Sequence, residues 1–263
     1  MMRSGCPRQK LGASIRRCPT YSHSACLRQI NIMALQKLSK LFVLLVTCCE
    51  FTNAQQTELL PEVDLYLKLD SSIRLRVQAA NTREGGDPTQ FTIGPDLELY
   101  VKPLIKLEKV AAFDLDDAKL RPLVFAVGYR YLAAPGSPLT NRMVLTATSH
   151  FPAKPGLLLS DRNRSDLDWS DGKFKWRYRN KFEVEKPWVI RSYHPAPYSS
   201  VEVYYESQYE KWSTTEIEVG CLFPIRKRFE FDPYYQHQNN TGKRPNSQLH
   251  GIGLTLNIYF SAN

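Results

Sequence analysis

The greater part of this 263-residue chain is almost free of cysteine. Only Cys221 follows residue 55, and five cysteines precede it: Cys6, Cys18, Cys26, Cys48 and Cys49. A single cysteine can form neither an intrachain disulfide nor a cysteine-rich zinc site. Cys221 alternates with Val219 and Phe223, which indicates an inert residue on the apolar face of a strand.

The same part of the chain lacks a charge of one sign. Eight of the 35 basic residues and one of the 26 acidic residues precede residue 55, which leaves 27 basic and 25 acidic residues after it. The formal charge of +9 therefore reflects mainly the N-terminal segment. A nearly neutral remainder argues against nucleic-acid binding, and we expect no nucleic-acid partner.

Catalytic and metal-binding motifs are also missing. The four histidines after residue 55 are His150, His194, His237 and His250, and no two have a helical i, i+4 or a two-residue strand spacing. Ser149 precedes His150 directly, so on a strand the two point to opposite faces and do not pair as nucleophile and base. We therefore expect no enzyme activity, no catalytic residue, no cofactor and no metal site.

The N-terminus has the pattern of an export signal. Residues 41–47 (LFVLLVT) are the most apolar run, Lys37 and Lys40 precede them, and small residues follow at 52–54 (TNA). This predicts a secretory signal peptide over residues 33–54, because the run is too short to span a bilayer as a helix. Residues 1–32 are interpreted as a non-native extension, or alternatively as a genuine extended leader. Residues 55–263 form the predicted mature domain.

The mature chain alternates with a period of two. In residues 173–185 (KFKWRYRNKFEVE), even positions from 174 to 184 are apolar or aromatic except Asn180, and odd positions are charged. Alternate side chains of a strand face opposite sides, so one face is aromatic and the other ionic. Eleven such segments can be read directly. Because single-chain bacterial barrels favour even numbers, we expect about 12 strands, with residues 104–115 hiding one, and 10 as the fallback.

Strand length and aromatic content favour a membrane barrel. Of the 30 aromatic residues, 27 lie in the predicted mature domain, and several alternating runs reach about 9–12 residues, the length of a strand that crosses a bilayer. We therefore predict an all-β, antiparallel transmembrane β-barrel. The alternatives are a secreted β-sandwich or lipocalin-like cup, and an enzyme on another β scaffold.

The ionic faces are the candidate functional site. On a barrel strand they would line the lumen and form ion pairs that fill it, or a charged, water-filled path for small anions or polar solutes. The predicted lumen-lining residues are Lys173, Lys175, Arg177, Arg179, Lys181, Glu202, Glu216, Glu218, Asp96 and Glu98.

Six segments together resemble a known family. They are LPEVDLYLK (60–68), VGYRYL (127–132), GLLLSDRNR (156–164), WRYRN (176–180), YEKWS (209–213) and FDPYY (231–235). The chain resembles, over about residues 58–260, a bacterial domain-of-unknown-function family grouped with the outer-membrane β-barrels of Gram-negative bacteria. The resemblance implies a fold and a location, and no reaction or substrate.

The last segment is similar to the closing strand of such barrels. A glycine, Gly253, is followed by apolar residues at alternate positions, Leu256, Ile258 and Phe260. We expect these residues to be the assembly signal read by the barrel-assembly machinery, after periplasmic chaperones and before insertion into outer-membrane lipid. The expected function is a porin-like passive pore or a structural barrel in the cell outer membrane. The alternative is a soluble periplasmic β-fold that binds an apolar ligand.

Overall fold

A computed structural model describes residues 56–84, 87–101, 116–153, 156–191, 193–226, 228–242 and 245–261. The predicted leader, the signal peptide and residues 104–115 lie outside these ranges. In the described part, no helix is long and apolar enough to cross a membrane.

Eleven strands and one 3-10 helix make up the described chain. The strands are β1 (Gln56–Asp70), β2 (Ile73–Glu84), β3 (Asp87–Tyr100), β4 (Leu123–Ala133), β5 (Thr140–Ala153), β6 (Leu157–Ser170), β7 (Lys173–Glu185), β8 (Ala196–Glu206), β9 (Lys211–Ile225), β10 (Phe229–Asn240) and β11 (Ser247–Ser261). The 3-10 helix is Asp117–Leu120, between β3 and β4.

A two-residue hairpin shows how local chemistry sets the register. Asp171 and Gly172 connect β6 to β7 and both have positive φ, 49° and 68°. Two such residues form the turn whose twist matches that of the flanking strands. The turn therefore places Leu167 opposite Trp176 and Asp166 opposite Arg177, which aligns the apolar and ionic faces of the two strands.

The strands close into a barrel in sequence order, with β1 hydrogen-bonded to β11. Neighbours in sequence pair antiparallel, whereas β1 and β11 pair parallel, from Gln56 opposite Leu249 to Lys68 opposite Ser261. The prediction of an all-β closed barrel is confirmed. The described chain has eleven strands, which is the number read directly from the alternation. It differs from the count of about 12 that the preference for even numbers suggested. The parallel β1–β11 seam closes an odd-numbered wall, so no further strand is required.

The two faces of the wall differ sharply. Outward positions are occupied by apolar side chains, and Val127 on β4 is 48% exposed. The inward neighbours are charged, and Arg130 on the same strand is 1% exposed. Exposed apolar residues likewise alternate with buried charged residues on the other strands, for example Leu97 beside Asp96 and Val201 beside Glu202.

The barrel has two rims with different contents. Rim A carries the ends of β1 and β11 and the 3-10 helix, and rim B carries the starts of these two strands. Aromatic side chains contact one another on the outer wall at rim B. The rings of Trp176 and Tyr205 stack with centroids 5.5 Å apart, and those of Tyr205 and Trp212 meet edge to face at 5.8 Å. Aromatic girdles of this kind are typical of the water–lipid boundary.

Candidate functional site: the charged lumen

The first cluster of the lumen surrounds Asp96 on β3. Its carboxylate accepts hydrogen bonds from the guanidinium groups of Arg76 on β2 and Arg130 on β4, at 2.7 Å for Arg76 Nε. Arg130 also donates to Gln78 at 2.7 Å. A Cβ atom at Gly128 would lie 1.6 Å from Asp96 Oδ1, so glycine leaves the space that this carboxylate occupies. Both guanidinium groups donate to Oδ2 of Asp96, so the buried acid has a cationic partner on each neighbouring strand.

A second cluster places three guanidinium groups around one carboxylate. Asp166 on β6 has no exposed surface and lies 2.6 Å from Arg164 Nε, 3.1 Å from Arg177 Nη2 and 3.8 Å from Arg142 Nη1. Arg142 also forms a two-point contact with Asp168, at 2.6 and 2.8 Å. Such fork-like pairs are the most directional ion pairs in proteins.

A third cluster joins β7, β8 and β9. Arg179 forms a two-point contact with Glu202, at 2.9 and 2.6 Å, and donates to the Tyr204 hydroxyl at 2.8 Å. The Tyr204 hydroxyl donates in turn to Glu216 at 2.5 Å. Arg162 on β6 reaches Glu202 at 3.2 Å. The acids of β8 and β9 therefore neutralise part of the basic row on β6 and β7.

Residues 116–121, here called the crossing segment, span the lumen at rim A. Asp116 accepts from Arg74 Nη1 of β2 at 2.6 Å, and Lys119 Nζ donates to Glu185 of β7 at 2.5 Å. Since β2 and β7 are five strands apart in an eleven-strand wall, these contacts connect opposite sides of the barrel. His150 of β5 adds a third attachment, with Nδ1 at 2.7 Å from the Arg121 carbonyl.

Asp116 and Lys119 of the crossing segment stay ionised near neutral pH. Burial raises the pKa of Asp116, but the Arg74 guanidinium and the Lys119 ammonium outweigh it and hold the pKa below its usual value. Burial lowers the pKa of Lys119, but Glu185, Glu230 and Asp116 outweigh it and raise the pKa above its usual value. Charge pairs therefore hold the segment in place.

A cavity of about 190 Å³ lies beside the crossing segment. Four residues with hydroxyl groups line it: Tyr66, Thr146, Thr148 and Ser160. Its cationic lining residues are Arg74, Arg76, Lys119, Arg162, Arg164 and Lys181, and its acidic lining residues are Glu98, Asp116 and Glu183. Cationic side chains outnumber carboxylates two to one in this lining, and each of the six is ion-paired with a carboxylate of the wall or of the crossing segment.

The lumen-lining residues named from the sequence occupy two environments. Eight of them point inward into the ion-pair network: Arg177, Arg179, Lys181, Glu202, Glu216, Glu218, Asp96 and Glu98. Lys173 and Lys175 keep the same register but lie exposed at rim B, in the first residues of β7. They therefore stand outside the paired interior.

Sequence reasoning missed four central residues, Arg130, Asp166, Asp116 and Lys119. Arg130 lies on the polar face of an alternating strand, and that position alone indicates that it points into the lumen. Asp166 falls in a strand whose alternation is interrupted by Asp161, so its face was not evident. Asp116 and Lys119 lie outside the strands, where no periodicity applies.

The segment named as the assembly signal forms the second half of β11. Leu256, Ile258 and Phe260 share its outward face, and Phe260 pairs with Leu67 across the parallel seam. Gly253 faces inward, where a Cβ atom would lie 1.9 Å from the ring of Tyr234. The glycine therefore makes room for an aromatic ring of β10, which is a packing role.

No family model matches the chain, and no curated protein matches it. Among solved structures, the chain is similar to one described as "Bacterial polysaccharide outer membrane secretin", with a TM-score of 0.45 and 8% identity. The alignment covers 70% of this chain and 63% of that chain, so this chain spans less than two thirds of its length. A likeness of this size assigns no activity. The geometry itself defines the class: a closed β-barrel with a charged interior and an apolar outer surface.

Proposed function

We propose that this protein is an outer-membrane β-barrel that acts as a narrow passive pore for small anions. The proposed location in the outer membrane rests on the polarity of the barrel, which is opposite to that of a soluble protein: apolar side chains lie outside and ion pairs lie inside. A closed barrel satisfies every backbone hydrogen bond within the wall, which lipid requires. The route is export through a cleaved signal peptide, then delivery by periplasmic chaperones and the barrel-assembly machinery.

The outer surface argues against a soluble apolar-ligand binder. In water, the many exposed apolar side chains of the wall would exceed the few hundred Å² of contiguous apolar surface that soluble monomers usually expose. A lipocalin-like cup also needs an apolar interior, whereas this lumen contains Asp96, Arg130 and Asp166, all buried and paired.

The proposed preference for anions rests on the cavity beside the crossing segment. Its cationic excess favours anions, and its hydroxyl groups donate hydrogen bonds without adding charge. The crossing segment narrows the lumen at rim A, so the path admits small ions only. The role is passive, and it involves no reaction.

Membrane fractionation tests the location. Expressed with its leader in a Gram-negative host, the protein should remain in the outer membrane until detergent extracts it. Its mobility on a denaturing gel should change on heating. Release by osmotic shock would contradict the proposal and favour the soluble alternative.

Planar-bilayer recording tests the pore. Under a KCl gradient, the reversal potential should show chloride more permeant than potassium. The double variant Arg162→Gln/Arg164→Gln should move this ratio toward unity, because both residues line the cavity. The matched control is Lys173→Gln, which removes an exposed charge at rim B.

The crossing segment provides a second variant. Lys119→Ala removes the contact with Glu185 and should raise the single-channel conductance. A correctly inserted barrel that conducts in neither form would contradict the pore and leave a structural barrel.

A further inference from the structure

Two histidines form a directly opposed pair on the outer wall near rim B. His237 of β10 pairs with His250 of β11 in the antiparallel register, and their ring centroids lie 4.7 Å apart. Each is three residues from the strand end that faces the β10–β11 connection, at Asn240 and Ser247. The pair therefore lies at the height of the aromatic residues of rim B, and both residues are partly exposed.

The ring nitrogens of this pair are incompletely satisfied. Nδ1 of His250 is hydrogen-bonded to the Tyr235 hydroxyl, whereas Nε2 of His250 and Nδ1 of His237 are buried and have no hydrogen-bond partner. When Nδ1 of His250 donates to Tyr235, the lone pair of this imidazole lies on Nε2. A buried nitrogen without a partner is costly, so an occupant that accepts these lone pairs would stabilise the site.

We propose that His237 and His250 bind a divalent transition-metal ion of the copper, nickel or zinc class. Imidazole nitrogen is a preferred ligand of these ions. Two imidazole rings that share one ion at bond lengths of about 2.0–2.1 Å have their centroids roughly 4.5–5.2 Å apart at right-angled to tetrahedral geometry. The distance of 4.7 Å between these two ring centroids lies in that range. The described residues contain no cluster of three or more metal-ligating side chains. Water therefore completes the coordination.

Tyr235 acts as a positioning residue in this site. Its hydroxyl holds Nδ1 of His250 and thereby fixes the orientation of the ring. Partners of this kind usually contribute about 10–100-fold to metal affinity. The ion would join β10 to β11, the strand that forms the parallel seam with β1.

Copper binding to the detergent-solubilised barrel, purified without a polyhistidine tag, tests the proposal. Electron paramagnetic resonance at equimolar Cu²⁺ should show one site with hyperfine coupling to two imidazole nitrogens, and Zn²⁺ in large excess should compete for it, because imidazole sites bind Cu²⁺ more tightly than Zn²⁺. His237→Ala and His250→Ala should each weaken binding at least about tenfold, and Tyr235→Phe about tenfold. His194→Ala is the matched control, because it removes a histidine between β7 and β8, at rim A.

Folding is checked separately by the heat-modifiable mobility of each variant without metal. If an alanine variant does not fold, His250→Gln keeps a polar side chain there and should still lose binding. The proposal is overturned if folded His237→Ala and His250→Ala bind copper as the wild type does, or if His194→Ala loses it equally. Neither result depends on whether the barrel conducts ions.

Discussion

The side-chain amide nitrogen of Asn180 lies 2.7 Å from Oδ1 of Asp161, on the outward face of the barrel wall. Asn163 donates to the other carboxylate oxygen at 3.1 Å and accepts from the Tyr178 hydroxyl. Asn180 is the exception in the aromatic face of β7, and Asp161 interrupts the apolar face of β6. Two departures from the alternation thus satisfy one another across neighbouring strands.

This relationship predicts non-additive effects of substitution. Asn180→Leu removes a donor from Asp161 and should lower the free energy of unfolding by about 1–3 kcal/mol, since the carboxylate keeps too few partners on an apolar surface. The double variant Asp161→Leu/Asn180→Leu should recover most of this loss, because both polar groups are gone. Urea unfolding in lipid vesicles measures the stability of the single and the double variant. A double variant less stable than Asn180→Leu would contradict the coupling between Asp161 and Asn180.

Arg130→Ala should be strongly destabilising. It leaves the buried carboxylate of Asp96 with Arg76 as its remaining cationic partner, and breaking a buried ion pair costs about 3–5 kcal/mol. Lys175→Ala, at an exposed position of rim B, should change the free energy of unfolding by less than about 0.5 kcal/mol. The same urea titration compares them, and equal stability of the two variants would disprove the structural role of the pair.

Gly253→Ala should destabilise the barrel by about 1–3 kcal/mol through overpacking, because its Cβ would overlap the Tyr234 ring. Gly251→Ala is the matched control on the same strand face. There the nearest atom is Leu60 Cδ1 at 2.9 Å, the end of a flexible side chain that can move. Adding Tyr234→Ala to Gly253→Ala should relieve the overlap. Thermal unfolding in detergent would show no difference between the glycine variants if the packing role were incorrect.

Arginine scanning of the outer wall should reveal the depth of the membrane. Leu145 lies near the middle of β5, and Leu145→Arg should cost about 2–4 kcal/mol. Trp176→Arg, close to rim B, should add a charge cost of only about 0–1 kcal/mol, besides the loss of its stacking on Tyr205. The yield of folded barrel in vesicles reports both. Similar yields at the two heights would contradict a membrane-embedded wall.

Phe260→Asp should block assembly in the outer membrane and expose the protein to periplasmic proteolysis. A charge would replace an apolar residue on the outward face beside the seam, where the last strand must join the first. Phe260→Tyr, and removal of residues 261–263, should be mild. Immunoblots of membrane fractions measure the outcome, and normal amounts of heat-modifiable Phe260→Asp protein would show that this strand is not the assembly signal.

The period-two alternation predicted most of the wall, because the face of each strand depends only on neighbouring residues. The hairpin at Asp171 and Gly172 also depends on local sequence, because both residues have positive φ. Alternation marked Asn180 as an exception on β7, but it could not show that Asn180 meets Asp161, since that requires the register between β6 and β7.

Non-local relationships account for what sequence reasoning did not predict. The seam joins Gln56 to Leu249, and the crossing segment joins Arg74 to Glu185, so neither pairing leaves a trace in a local pattern. His237 and His250 are thirteen positions apart and lack a metal-ligand spacing. They become neighbours only through the register of β10 and β11.

The parallel seam also determines how the chain can be rearranged. The backbone enters the wall at rim B with Gln56 and leaves it at rim A after Ser261. Ser261 lies opposite Lys68, so the two ends are separated by the stretch of β1 from Gln56 to Lys68. At about 3.3 Å per residue, this is roughly 40 Å along the strand. A circular permutation would therefore need a linker of at least about 12 extended residues. In barrels with an even number of strands, both ends meet at one rim and a short loop suffices.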